Sequence, residues 1–149
     1  MINKSSRNLN DLVPELRERV VEMLADVQHE LPSGDSVIVA QTYRSEADQL
    51  ACWQCGRDAA GNITDKKAVK TYAKPGSSEH GRVDILGKPA SRAVDLLILR
   101  HGRIVDSALD GSYAILGKIG KRWGLEWSGD WKNSFEAAHF QLPKKEKQA

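Results

Sequence analysis

The chain is poor in several things, and each shortage excludes a class. It has two cysteines in 149 residues, Cys52 and Cys55. That is too few for a disulfide scaffold. Their C-x-x-C spacing lacks the further nearby ligands of a zinc finger. It also lies near the end of an expected helix, where a redox pair would open one, so the two read as small packing residues. Apolar runs are short, far from the roughly 20 residues of a membrane span. Met1 to Arg7 has no apolar stretch after its charges, so no secretory leader is expected and the chain is placed in a cytoplasm when made. Charge of one sign is scarce too. The net charge of +2 carries no argument for nucleic acid. Lys66, Lys67, Lys70 and the Lys144-Lys145-x-Lys147 tail read as solvated surface.

What remains is an ordinary globular composition, 40% apolar and 28% charged. The length suits one domain, with a core over about residues 9–142 and a short charged tail. From 9 to 31 the apolar residues Leu12, Leu16, Val20, Leu24 and Leu31 follow helical spacing. Asn10 or Asp11 is the expected N-cap, with Pro14 in the first turn. Val37 to Ala40 reads as a short strand. Ser45 then caps a helix to about Gly56. Residues 58–79 are polar and rich in Gly, Lys and Ser, a long surface loop. Arg92 to Leu99 and Ile104-Val105 make a hairpin around Arg100-His101-Gly102-Arg103. A third helix spans Asp110 to Trp123, closed by Gly124. Leu125 to Trp127 and Ala138 to Leu142 are two more strands. Helices followed by an antiparallel sheet with one crossing helix indicate an α+β fold.

The chemistry-bearing residues concentrate between 78 and 139. His80, Asp95 and His139 supply the three His or carboxylate ligands that a catalytic zinc takes while keeping a fourth position for water. Glu136, three residues before His139, supplies a proton acceptor. Asp84 is a rival for the carboxylate ligand. Asp95 is preferred because it sits on the apolar run 93–99, and a strand fixes a ligand better than a Gly-containing loop. His29 and His101 read as a helix-end and a solvated turn histidine.

The order Ser78-x-His80, Ala93-Val94-Asp95-Leu96, Gly124-Leu125-Glu126-Trp127-x-Gly129-Asp130-Trp131 and Glu136-x-x-His139-Phe140 resembles the LAS-type metallopeptidases. That family includes D-alanyl-D-alanine carboxypeptidases and the L-alanyl-D-glutamate endopeptidases of phage endolysins. Thr42-Tyr43-Arg44-Ser45 with Gln49, and Cys55-Gly56-Arg57 with Gly61 and Ile63-Thr64, extend the resemblance. The His80 to Asp95 spacing is longer than the family's, which reads as an inserted loop from Gly81 to Ala90.

The resemblance implies a hedgehog/DD-peptidase-like fold with a central antiparallel sheet and flanking helices. It implies one Zn2+ per chain on His80, Asp95 and His139, with Glu136 as base. Arg44 and Ser78 would hold substrate, and Asp130 would orient a ligand histidine. The expected protein is a monomeric phage endolysin acting on the peptidoglycan stem peptide at the L-alanyl-D-glutamate bond. It would bind no nucleic acid, insert stably in no membrane, and reach the wall of the host bacterium through a membrane lesion made by another protein. A D-alanyl-D-alanine carboxypeptidase is the alternative enzyme. A zinc-stabilised binding module is the non-enzyme alternative, and Glu136 argues against it.

Overall fold

The computed structural model describes residues 3–131 and 136–144. The basic tail read from the sequence lies, from residue 145 on, outside the described residues. The helices are α1 (Pro14–Glu30), α2 (Glu46–Gln54) and α3 (Gly111–Arg122). The strands are β1 (Asp35–Gln41), β2 (Ala93–Arg100), β3 (Arg103–Ile104), β4 (Glu126–Trp127) and β5 (His139–Gln141). They form one antiparallel sheet in the order β1-β2-β5-β4, with β3 paired to β2. The α+β expectation holds.

Strand alternation divides this sheet into two working faces. Val94, Leu96 and Ile98 of β2 are fully buried with Phe140 of β5. They pack with Leu16, Val20 and Met23 of α1 and Leu116 and Ile119 of α3. Each such side chain contributes about 1.5–3 kcal/mol of burial. Asp95 and His139 sit between these positions, so period-2 alternation turns them to the opposite face. Helix α3 crosses closely because Gly117 and Gly120 present no side chain. A Cβ on Gly120 would lie 2.4 Å from the Phe140 ring, and one on Gly117 would lie 2.3 Å from Trp127.

The first helix starts later than its periodicity suggests. Leu9–Asp11 is a separate 3-10 turn capped by Asn8, and α1 begins at Pro14 with no side-chain cap. Leu12 is held extended by a bridge to Ser91. Val13, preceding a proline, is pushed out of the helical region, with ψ 145°. The hairpin is a two-residue turn with positive φ at both His101 (50°) and Gly102 (80°), as a type I′ turn requires. The inserted loop is itself a small hairpin. Val83 bridges Pro89, and Ala90 N–H donates to the Arg82 carbonyl at 2.9 Å.

Arg100 ties the end of β2 to two acidic groups. It donates to Asp35 at 2.7 and 3.0 Å and to Asp110, the N-cap of α3, at 3.0 Å. The Arg100 hydrogen bonds, then the Ser112 hydroxyl, hold the Asp35 carboxyl at about 2 against an ordinary 3.8. A depressed pKa stabilises the fold above the unfolded value and loses that contribution as pH falls through the folded one. Stability should therefore fall between about pH 4 and pH 2. Urea midpoints across that window should fall less steeply in Asp35→Asn. An equal slope in both proteins would remove Asp35 from the acid response.

Candidate metal centre

Two neighbouring strands present the first pair of candidate ligands. Asp95 stands directly opposite His139 in the β2–β5 register. Cross-strand partners on one face have Cβ atoms about 4.5–5.5 Å apart. His80 comes from a one-turn 3-10 helix, Glu79–Gly81. The Ser78 hydroxyl accepts from its N–H at 3.2 Å, and its carbonyl accepts from Arg44 N–H at 3.0 Å. The inserted hairpin leaves this position undisturbed, because Arg92 N–H donates to the Glu79 carbonyl at 2.9 Å. The chain thus returns beside its starting point before β2 begins.

His80 Nδ1 lies 2.8 Å from the Thr42 carbonyl. A carbonyl only accepts, so Nδ1 carries the proton and Nε2 presents a lone pair. That lone pair is 3.1 Å from Asp95 Oδ1 and 3.2 Å from His139 Nδ1. His139 Nδ1 is also 3.2 Å from Asp95 Oδ1. The three atoms form a nearly equilateral triangle. Two zinc–ligand bonds of about 2.0–2.1 Å at the tetrahedral angle span about 3.3–3.4 Å. The triangle therefore matches three corners of a zinc tetrahedron, and its donor set of two imidazoles and a carboxylate suits that ion. Among the described residues, this trio is a cluster whose ligand atoms all lie within 4.8 Å of one another. Asp84 is not part of it. Its Oδ1 accepts from Leu86 and Lys88 N–H inside the inserted hairpin.

Asp95 stays ionised, as a carboxylate ligand must be. Burial would raise the Asp95 pKa, yet the two imidazoles that face it, His80 and His139, hold it well below the carboxylate range. Burial would lower His139, but the hydrogen bond and charge of Asp95 outweigh it and raise it. Glu136 is raised, first by desolvation and second by the negative charge of Asp95.

Glu136 stands where two hollows meet. One, about 320 Å³, carries Arg44, Lys70 and Lys144 together with Glu79, beside Tyr72, Ser78, His80, Trp131 and His139. The other, about 400 Å³, is mainly apolar, lined by Leu97, Ile104, Val105, Ala108 and Ala138, with Asp95 and Asp106. Glu136 lines both. Its segment is pinned by Ser128, whose hydroxyl donates to the Glu136 carbonyl, and by Trp127 Nε1, which donates to the Ala137 carbonyl at 2.8 Å.

No family model matches the chain. The peptidoglycan L-alanyl-D-glutamate endopeptidase CwlK of Bacillus subtilis (strain 168) is 28% identical over 117 residues. The match covers 73% of this chain and 62% of that protein, so the chain spans less than two thirds of that relative's length. The crystal structure of the Serratia marcescens L-Ala D-Glu endopeptidase ChiX superposes with a TM-score of 0.56 at 21% identity. It covers 96% of this chain and 89% of that one. The D,D-pentapeptidase VanY of the VanB-type resistance cassette, in complex with Zn(II), gives 0.53 at 20% identity, over 88% and 72% of the two chains. The chain is thus similar in sequence to one L-alanyl-D-glutamate endopeptidase and shares the fold of ChiX and VanY.

Each residue singled out in the sequence has a definite place in this fold. His80, Asp95, His139 and Glu136 come together. Arg44 and Ser78 line the same hollow, but both also brace the ligands. Arg44 Nη2 donates to Asp95 Oδ2 at 3.3 Å and Nη1 to Gln49 Oε1 at 3.0 Å. Asp130 does not orient an imidazole. It sits exposed at the end of the one-turn helix Ser128–Asp130 and pairs with Lys121 Nζ at 3.0 Å. The partners of the two imidazoles are instead Thr42 and Gln141, the latter 2.9 Å from His139 Nε2. Thr42 acts through its backbone, which no side-chain motif signals. Gln141 was legible in principle, since two residues after His139 on a strand is the same face.

Proposed function

We propose that the chain is a zinc-dependent endopeptidase that cleaves the stem peptide of peptidoglycan at the L-alanyl-D-glutamate bond. The observation that carries the reading is a pair of hollows, one lined by Asp95 and the other by His80 and His139, that share Glu136. A cleft open on both sides accepts chain on both sides of a scissile bond, as an endopeptidase requires. The apolar side suits the alanyl methyl, and the side with Arg44, Lys70 and Lys144 suits a carboxylate-rich remainder.

His80, Asp95 and His139 would hold a zinc ion, which would supply Lewis acidity and bring the pKa of water to about 7. The rest falls to the chain. Glu136 accepts the proton of the attacking water and returns it to the leaving amine. Arg44 has five N–H groups, and the bonds to Gln41, Gln49 and Asp95 occupy three. The other two, without a partner among the described residues, suit a substrate carbonyl or carboxylate. Trp131, with its ring 5.4 Å from that of His139, walls the cleft.

Mass spectrometry of muropeptides from digested sacculi tests the reading. The expected products are peptides with a new N-terminal D-glutamate and glycan bearing L-alanine. Release of free D-alanine alone would replace the endopeptidase with a carboxypeptidase of the same chemistry. Intact sacculi with a zinc-loaded protein would favour a binding module. The biological setting we attach to this reading is phage endolysin. It rests on the motif resemblance to a family that includes phage endolysins, and lysis of host cells after co-expression with a membrane-permeabilising protein tests it.

A further inference from the structure

His139 has two possible tautomers, and only one of them serves a metal. Its Nδ1 points into the ligand triangle, 3.2 Å from Asp95 Oδ1. Its Nε2 points away, 2.9 Å from the Gln141 side-chain amide. A proton on Nδ1 would satisfy Asp95 and block the ion. A proton on Nε2 leaves the Nδ1 lone pair free. The two acceptors compete for one proton, and Asp95, being charged, is the stronger of the two.

Gln141 alone does not decide the matter, because an amide can turn either its oxygen or its NH2 to the ring. The deciding group is one residue further out. Glu126 on β4 is the register partner of Gln141 on β5. Its Oε2 lies 3.2 Å from Gln141 Nε2. A carboxylate accepts and does not donate, so the NH2 of Gln141 faces Glu126 and its oxygen faces His139. His139 Nε2 must then carry the proton.

We propose that Glu126 and Gln141 form a positioning relay that sets the metal-ready tautomer of His139. This rests on the metal-centre reading of the cleft. It also gives the two-residue strand β4 a chemical task besides packing Trp127.

Exchange of the two residues is the test, on the full chain. Zinc affinity is read by chelator competition. Glu126→Gln frees the amide to turn, and Gln141→Glu sets two carboxylates side by side. Each single change should weaken zinc binding about 10- to 100-fold, the usual cost of losing a ligand's outer partner. The double variant Glu126→Gln/Gln141→Glu restores an NH2 donor facing a carboxylate and an acceptor facing Nε2. It should recover affinity close to the parent's. A merely structural contribution would show as lost thermal stability without that recovery. Parental affinity in both single variants would overturn the relay, as would a double variant no better than the worse single.

The second readout is independent of metal. In metal-free protein at alkaline pH, the 15N shifts of His139 should report the Nε2–H tautomer in the parent and a move toward Nδ1–H in Glu126→Gln. An Nδ1–H parent overturns the relay. Should the parent bind no zinc, the metal-centre reading falls, and the tautomer shifts alone decide the relay.

Discussion

Glu136→Gln should lower the rate of stem-peptide cleavage by about 100- to 10,000-fold, the usual cost of losing a general base. Its zinc content should stay at the parent's level. The argument is geometric before it is electrostatic. The ligand triangle is complete with His80, Asp95 and His139, and Glu136 stands beside it at the junction of the two hollows. Desolvation, and then the Asp95 charge, raise its pKa above the ordinary carboxylate value. A carboxylate so raised is a stronger proton acceptor near neutral pH. Glutamine keeps the shape and loses the basicity. Release of new amino groups from sacculi, measured beside metal content, checks both halves. Near-parental release would remove Glu136 from the mechanism. Loss of zinc would make it a ligand or a support.

Asp95→Ala should lose zinc and activity together, while Asp84→Ala keeps most of both. Asp95 Oδ1 lies 3.1–3.2 Å from the two ligand nitrogens, and its Oδ2 receives Arg44. Removing it deletes a ligand and leaves a guanidinium beside an empty corner. The loss of affinity should exceed the 10- to 100-fold typical of an outer partner. Asp84 instead closes a turn through two backbone N–H groups. Its loss should cost about 1 kcal/mol of local stability per hydrogen bond. Isothermal titration with zinc separates the two variants. The opposite pattern would assign the ligand to the inserted hairpin.

The candidate ligand cluster could be read from the sequence because it rides on strong local signals. The apolar run 93–99 announces a strand, and a charged residue inside it is conspicuous. His139 follows Glu136 at short spacing and precedes Phe140, whose complete burial fixes which way the histidine turns. Helix α3 was legible for a similar reason, with a capping Asp110 at one end and Gly124 at the other. The start of α1 was not. Periodicity continues through Leu12, but the Ser91 bridge and the proline after Val13 override it. The Asp130 role failed because proximity in sequence to His139 says nothing about which way an exposed side chain points. Thr42, Gln141 and Glu126 were missed because their importance lies in pairing between distant segments. The two-sided cleft is also a product of tertiary assembly, built from the β3 hairpin on one side and the 70–80 loop on the other.

Metal content and metal dependence of the purified full chain test the central claim most directly. Elemental analysis should find about one zinc per chain, in keeping with the one ligand triangle among the described residues. Chelation should abolish cleavage of sacculi, and added zinc should restore it. His139→Ala should lose both the metal and the activity. A fully active preparation that contains no metal, or one whose activity survives exhaustive chelation, would contradict the account.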